Sequence, residues 1–241
     1  MADVTDHYEN LLAGVYTWLY GGAEPRIAAN RSFFMEHGIA PHLSGNAVDL
    51  GCGPGFQSIP LAEIGFHVTA VDFSETLLME LEGRRGALPI VTVRADLLDF
   101  TRHTPDTLEL AVCMGDTLTH LPDFEAVERL LADVFKKLEA GGKLVLTFRN
   151  LMPEMPRTSR FIPVRSDDNK VFSCFLEYEG EYAIVHDILY TRGVGGWELK
   201  KSFYRKLRIA PERVMNLLER IGYSKASLRE EGDFVTIIAG K

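Results

Sequence analysis

The sequence lacks several features that would place it in a common functional class. It has only three cysteines, Cys52, Cys113 and Cys174, widely spaced and without a Cys-x-x-Cys pair, so neither a disulfide framework nor a metal site is expected. No apolar run reaches the ~18 to 20 residues that cross a bilayer. The polar, acidic N-terminus is also unlike a signal peptide. We therefore expect a cytoplasmic protein with no membrane partner.

Basic residues are scarce as well. Lys and Arg total 26 against 34 Asp and Glu, which gives a formal net charge of −8. Nucleic-acid binding needs clustered Lys and Arg, so we expect no nucleic-acid partner and favour a small solute. The 241 residues are 46% hydrophobic and show no repeat, low-complexity segment or linker, which predicts one domain over residues 1–241. An oligomer is compatible with this sequence.

Glycine, in contrast, is concentrated after the first apolar strand, at Gly51, Gly53 and Gly55. Such residues reach positive φ and let a ligand approach the main chain. Dinucleotide sites want a small residue at the sixth motif position, where this chain has Phe56. A carboxylate at Asp49, just before the glycines, would repel a phosphate group, whereas it suits a cationic or hydrogen-bond-donating ligand. S-Adenosylmethionine carries an ammonium and a sulfonium and no phosphate, so the motif favours it over NAD.

The next two strands also end in carboxylates. The strand at residues 67–72 ends in Asp72, 17 residues beyond Gly55, close to the ~20-residue offset of an acid that binds ribose hydroxyls. The alternative for Asp72, a helix N-cap, is disfavoured because Ser74 supplies one. The strand at 90–94 leads to Asp96, which in isolation would more often be a solvated loop acid.

The fourth strand, residues 108–113, opens into a polar segment, Met114 to His120. Ligands of open α/β sheets lie beyond the carboxyl ends of the strands, where the strand order reverses, so this segment should face the reacting group. The fifth strand, 143–148, delivers Arg149 to the same cleft. His120 has a purely structural hydrogen bond as its alternative, and Arg149 has an ion pair with Asp116.

The rest of the chain has simpler patterns. Residues 8–37 are predicted helical with a break at Gly21-Gly22, and a helix at 123–139 is predicted to end at Gly141-Gly142. Residues 151–163 are predicted to be loop. Alternating patterns predict antiparallel strands, and the end of the chain predicts a helix and a strand; these five elements cover residues 171–178, 182–190, 197–209, 211–221 and 234–239.

Residues 49–55, Asp-Leu-Gly-Cys-Gly-Pro-Gly, resemble the first motif of class I S-adenosylmethionine-dependent methyltransferases. Residues 113–122 and 148–150, with the late antiparallel segment, resemble the glycine and sarcosine N-methyltransferase group. The resemblance implies an α/β fold with a doubly wound, mostly parallel, seven-stranded Rossmann-like sheet. It divides the domain into an N-terminal helical cover (1–40), a cofactor-binding core (41–150), an antiparallel β insertion (151–209) and a C-terminal helix and strand (210–241).

The resemblance also implies a function, methylation by S-adenosylmethionine of a small-molecule acceptor, with N-methylation of an amino acid or related zwitterion expected. Arg26 would hold the methionyl carboxylate of the cofactor, and Arg149 a substrate carboxylate. Asp116 or His120 would accept a proton from the nucleophile, which makes Asp116, His120 and Arg149 the candidate catalytic residues. The candidate cofactor-binding residues are Tyr16, Arg26, Asp49, Gly51, Cys52, Gly53, Gly55, Asp72, Phe73, Asp96, Leu97, Met114, Gly115 and His120; among these, Tyr16 would lie beside the adenosyl part, and Asp96 and Leu97 at the adenine.

Two positions depart from the glycine enzymes. Asp116 stands where they carry Asn, and Leu19 replaces an active-site Tyr, so a different or more cationic acceptor is indicated. Three alternatives remain: a nucleotide-dependent dehydrogenase, a nucleic-acid methyltransferase and a non-catalytic S-adenosylmethionine-binding protein. Phe56 disfavours the first. The acidic charge and the absence of an Asp/Asn-Pro-Pro-Tyr motif disfavour the second.

Overall fold

The computed structural model describes residues 4–241; residues 1–3 of the predicted N-terminal cover lie outside this range. Its N-terminal part is a series of short helical pieces and not the continuous helix that the spacing predicted. These pieces are α1 (Val4–His7), a π-helical turn (Tyr8–Leu12), a 3-10 turn (Ala13–Val15) and α2 (Tyr16–Leu19), and the longer α3 (Ala23–Glu36) follows the Gly21-Gly22 break.

A central sheet of seven strands organises the fold. Its strands are β1 (Asn46–Leu50), β2 (His67–Asp72), β3 (Ile90–Arg94), β4 (Leu108–Cys113), β5 (Leu138–Arg149), β10 (Ser224–Glu231) and β11 (Phe234–Gly240), in the order β10-β11-β5-β4-β1-β2-β3. β1 to β5 are parallel, whereas β10 and β11 are antiparallel. The predicted doubly wound, mostly parallel sheet is thereby confirmed.

Strand order determines where a site can form. β1 pairs with β2 on one side and with β4 on the other, so the order reverses between β1 and β4, as predicted. The core covers both faces of β1: Val48 belongs to one buried apolar cluster and Ala47 to another. Helices α4 (Ser58–Glu63), α5 (Glu75–Arg85), α6 (Phe124–Lys137) and α7 (Pro211–Ile221) complete the layers.

A second sheet stands beside the carboxyl edge of the first. Its antiparallel strands β6 (Phe161–Ser166), β7 (Lys170–Glu179), β8 (Tyr182–Gly193) and β9 (Gly196–Leu207) follow chain order, which confirms the predicted insertion. Leu11, Leu12 and Val15 of the N-terminal segment share a buried cluster with Phe172 and Leu176 of this sheet. The N-terminal segment is thus packed against the inner face of the insertion.

Three elements of the fold differ from the sequence prediction: the end of α6, a strand in place of a predicted loop, and a strand that was not predicted. α6 ends at Lys137, and Leu138 already begins β5; Gly142 lies where a Cβ would come within 3.0 Å of the Glu109 carbonyl oxygen, so it permits strand contact and does not cap the helix. β6 includes Pro163, which the prediction had placed in a loop, because an edge strand with a bulge tolerates proline. β10 was missed because this edge strand is mostly exposed.

Within residues 4–241, no helix combines the length and apolar character needed to cross a membrane.

Candidate active site

Three cavities meet at the carboxyl edge of the central sheet, and His120 lies on all three. The inner cavity, about 40 Å³, is lined by Tyr8, Tyr16, Gly51, Gly53, Asp72, Phe73, Leu77, Ala95, Leu97, Gly115, Thr117 and His120. The outer groove, about 520 Å³, contains Phe73, Asp96, Leu97 and Tyr204. The large cavity, about 550 Å³, lies between the N-terminal segment, the second sheet and the ends of β4 and β5.

The glycine turn after β1 forms one wall of the inner cavity. Gly51 and Gly53 have φ values of 73° and 51°, a conformation that strains other residues. A Cβ on Gly51 would overlap the Thr117 side chain, and one on Gly55 would overlap Leu81. Gly51 therefore permits close packing of Thr117 and Gly55 that of α5, while Gly53 exposes main chain at the cavity wall.

Asp72 holds this turn in place. Its carboxylate accepts hydrogen bonds of 2.8 Å from the backbone N–H of Gly53 and of Ser74. Burial raises the pKa of Asp72 although these hydrogen bonds oppose the shift. Ser74 supplies the α5 cap through its Oγ, which accepts from Leu77 N–H. Asp72 is therefore a cavity residue and a turn anchor, with the cap function left to Ser74.

The predicted adenine residues lie on the outer groove. Asp96 is exposed, and its Oδ1 accepts a 2.8 Å hydrogen bond from Leu98 N–H at the start of a 3-10 helix, Leu97–Arg102. Leu97 also lines the inner cavity, as does Phe73. These residues connect the deep cavity to the groove outside it.

Five predicted cofactor residues do not line these cavities. They are Arg26, Asp49, Cys52, Gly55 and Met114, none of which occurs among the described residues that line the three cavities. Asp49 is buried and accepts a 2.6 Å hydrogen bond from Ser58 Oγ, and burial raises its pKa to about 7. Their geometry supports the wall, and their contact with a cofactor stays a prediction.

Arg26 has an unused donor. Its guanidinium lies 4.9 Å from the centre of the Tyr20 ring, and its buried Nε has no hydrogen-bond partner among residues 4–241. A buried donor without a partner costs free energy, so a carboxylate acceptor here would be favourable.

Asp116 lies where the large cavity reaches the end of β4. Its φ of 83° lies in the left-handed region, which a residue with a Cβ adopts at some cost in free energy. Oδ1 accepts from Arg149 N–H at 2.9 Å and from Thr119 Oγ1 at 3.3 Å, and Oδ2 pairs with Lys206 of β9. Burial by itself would raise the Asp116 pKa, but Lys206 and the hydrogen bond from the Arg149 N–H hold it below the ordinary value. The carboxyl group is therefore ionised.

Arg149 pairs with two acids. Its Nη1 lies 2.7 Å from Asp233 Oδ2, and its Nε lies 3.8 Å from Asp116 Oδ2. Arg149 and Asp116 thus share one wall of the cavity and compensate one another. Of the two interpretations of Arg149, an ion pair with Asp116 describes this geometry better than a side chain left available for a substrate carboxylate.

His120 ends the 3-10 helix Thr117–His120. Its Nε2 lies 3.2 Å from Tyr8 Oη, and its ring stacks on Tyr204 at 5.4 Å. Burial, followed by the nearby Lys206, lowers the His120 pKa to about 3. The imidazole is neutral near pH 7, and its buried Nδ1 has no partner within the described part of the chain.

Sequence reasoning missed several residues of these cavities. Tyr8 lines the inner cavity, and Tyr204, Lys206 and Asp187 line the large one. Asp187 pairs at 2.9 Å with the buried His7. The alternation of β9 places Tyr204 and Lys206 on one strand face, but no local pattern shows that this face turns toward β4.

Comparison with known proteins identifies the domain. Residues 47–142 match the family model described as "Methyltransferase domain". The glycine/sarcosine N-methyltransferase of Aphanothece halophytica is 29% identical over 157 residues, which cover 61% of this chain and 57% of that protein. The chain therefore spans little more than half the length of this curated relative.

Solved structures share the fold over a larger part of the chain. The CcbJ methyltransferase from Streptomyces caelestis superimposes with a TM-score of 0.76 at 19% identity, and covers 100% of this chain and 99% of its own. CalS10, an S-adenosylmethionine-bound amino pentose methyltransferase from Micromonospora echinaspora, gives a TM-score of 0.70 at 15% identity, with 90% of this chain and 91% of its own covered. These likenesses confirm the predicted fold. The domain match and the relatedness to the N-methyltransferase confirm the predicted resemblance to class I methyltransferases.

S-Adenosylmethionine is the cofactor that this class uses. The inner cavity, about 40 Å³, is too small to hold it alone, so a bound cofactor would extend into the adjoining outer groove or large cavity. Several residues where these cavities meet suit it. Gly51 and Gly53 line the inner cavity with main chain alone, and Asp72 beside them can accept hydrogen bonds from ribose hydroxyls. The Arg26 guanidinium lies over Tyr20, a residue of the large cavity, and its Nε has no partner among residues 4–241 and can donate to a carboxylate. Tyr8, Tyr16, Gly115 and His120 line both the inner and the large cavity. A group in one cavity can therefore reach a group in the other.

Proposed function

We propose that this chain, whose residues 47–142 form a methyltransferase domain of the class I, S-adenosylmethionine-dependent type, transfers a methyl group to an amine nitrogen of a small molecule. The observation that carries the proposal is an ionised, buried carboxylate, Asp116, on the large cavity where it adjoins the inner one. Cavities of about 300 to 1,000 Å³ are typical of small-molecule sites, and the large cavity lies within that range.

The hydrogen-bond capacity of Asp116 supports an amine. A carboxylate has about four lone-pair sites, and Thr119, Lys206 and the Arg149 backbone use three of them. One site is left to accept an N–H of the acceptor and to orient its lone pair. Oriented binding of this kind can lower a displacement barrier by several kcal/mol.

S-Adenosylmethionine supplies an electrophilic methyl group on a sulfonium. Asp116 and His120 are weak bases near pH 7, because the pKa of Asp116 is lowered and that of His120 is about 3. Neither residue can efficiently take a proton from an ammonium ion. The amine therefore gives up its proton to water before it binds in the neutral form, and after methyl transfer the product nitrogen carries the positive charge that the sulfonium loses.

An amino acid has weaker support than the resemblance implied. Its carboxylate would have to share Arg149 with Asp233 and Asp116. We therefore limit the proposal to an amine-containing small molecule. A cytoplasmic location and the absence of a nucleic-acid partner stay predictions.

Turnover with matched acceptors tests the proposal. The purified chain is incubated with S-adenosylmethionine and with amines, alcohols and thiols of equal carbon skeleton, and S-adenosylhomocysteine release is measured. We expect turnover with the amines. Asp116→Asn should lower kcat/KM by roughly 10- to 150-fold, the range for a hydrogen bond to a charged group, whereas the matched change Asp168→Asn at an exposed turn should have no effect. Cofactor binding without turnover on any acceptor would instead favour a non-catalytic binding protein.

A further inference from the structure

The large cavity has two chemically different ends. Asp116, Lys206 and Arg149 lie at one end, near the carboxyl ends of β4 and β5. The rest of the wall is mostly apolar and comes from the N-terminal segment and the inner face of the second sheet, with Leu12, Leu19, Ile162, Phe172, Leu176 and Val185. Leu12, Phe172 and Leu176 are 5%, 4% and 7% exposed, so these side chains are fixed by the core behind them.

The charges at the polar end compensate one another. Lys206 pairs with Asp116, and Arg149 pairs with Asp233. Asp187, which also lines the cavity, pairs with His7. Each of these three acids thus has a partner among residues 4–241. Asp116 and Asp233 have cationic partners, so attraction to either of these two carboxylates is not what selects the acceptor in this cavity.

Size leads to the same conclusion. A cavity of about 550 Å³ lies within the range of about 300 to 1,000 Å³ that holds drug-sized ligands. A small amino acid would occupy a minor part of this volume and leave water against the leucine and phenylalanine side chains. An acceptor that fills the space would release that water, which is the main source of apolar binding free energy.

We propose that the acceptor is an amphipathic amine with an apolar alkyl or ring body, an inference that rests on the proposed function. The nitrogen lies at Asp116, and the apolar body lies along Leu12, Phe172 and Leu176 between the N-terminal segment and β7. The second sheet therefore acts as the specificity wall for the acceptor body.

A homologous series of primary n-alkylamines, with glycine and sarcosine beside it, tests this inference. Each added methylene that enters the cavity should raise kcat/KM by about fourfold until the cavity is filled, since a buried CH₂ contributes about 0.8 kcal/mol. A profile that is flat with length, or highest for glycine, overturns the amphipathic acceptor while methyl transfer itself still stands.

Two variants test where the apolar body of the acceptor binds. Leu176→Trp should move the length optimum to shorter amines, whereas Leu199→Trp, on the exposed outer side of the same sheet and 50% exposed, should leave it unchanged. An unchanged optimum in a folded Leu176→Trp protein overturns the placement. Where that variant does not fold, Leu176→Ala serves, and its optimum should move to longer amines.

A binding measurement separates this inference from the proposed function. Calorimetry of the same amines on the protein saturated with S-adenosylhomocysteine should show affinity rising with chain length and a negative heat-capacity change. Length-dependent binding without any methylation supports the apolar wall and counts against amine methylation. Methylation combined with binding that does not depend on chain length supports amine methylation and counts against the apolar wall.

Discussion

Replacing Lys206 by Met tests whether this ammonium group neutralises Asp116. The two side chains are only 11% and 10% exposed, so the substitution leaves a buried carboxylate without its main partner. Removing one member of a buried pair typically costs about 3 to 5 kcal/mol. For a chain of this size that corresponds to a fall of roughly 6 to 20 °C in Tm.

The effect should depend on pH, and its sign follows from the Asp116 pKa. In the native protein that pKa lies below its ordinary value, so the pair stabilises the fold above about pH 4 and this contribution is lost as pH falls through the lowered pKa. In Lys206→Met, the ammonium group no longer opposes the effect of burial, so the pKa of Asp116 rises. The variant then loses stability as pH increases from about 4 through the raised value.

Urea unfolding of both proteins at about pH 5 and about pH 8 measures this difference, which should be larger at the higher pH. Lys201→Met, at an exposed position of the same strand, should stay within about 0.5 kcal/mol of the native protein. The double variant Asp116→Asn with Lys206→Met should regain part of the loss, because both charges are gone. Equal effects of the two lysine substitutions at both pH values would refute the reasoning.

Further predictions concern the cofactor and the reaction. Asp72→Ala should weaken S-adenosylhomocysteine binding by roughly 10- to 150-fold in calorimetry; an unchanged Kd would leave Asp72 only as a turn anchor. Gly51→Ala should lower Tm and cofactor affinity because its Cβ meets Thr117 at a positive φ, while Gly83→Ala, in open space, should not. Arg26→Lys should weaken S-adenosylmethionine but not 5′-methylthioadenosine, which has no carboxylate; equal loss of both would indicate a folding role. Since His120 is neutral above about pH 3, the rise of kcat/KM with pH should follow the pKa of each amine, and a rise at one fixed pH for all amines would point to a protein base.

The sequence was informative where structure depends on neighbouring residues. Buried parallel strands appear as short apolar runs, and the glycine turn, Asp72 and the end of β4 are placed by their distance along the chain. The C-terminal edge strand β10 was missed because only residues such as Ala226 and Leu228 are partly buried in it, which is too weak an alternation to separate it from loop.

The acceptor side could not be predicted in the same way. Lys206 lies 90 residues from Asp116 along the chain, and its role depends on how the second sheet docks against the first. Tyr8 reaches His120 because the N-terminal segment is packed between these parts. Contacts of this kind are set by long-range packing, and neither residue type nor spacing marks them.

The position of His120 has a thermodynamic consequence. The His120 side chain lines all three cavities. A ligand that hydrogen-bonds to it or displaces it therefore changes the surface that a ligand in the neighbouring cavity contacts. Linkage requires this influence to be reciprocal: the factor by which cofactor product alters amine affinity equals the factor by which the amine alters product affinity. We expect that factor to differ from unity, and to approach unity in His120→Ala. Independent binding of the two ligands to the native protein, measured by calorimetry in both orders of addition, would show that the cavities adjoin without communicating.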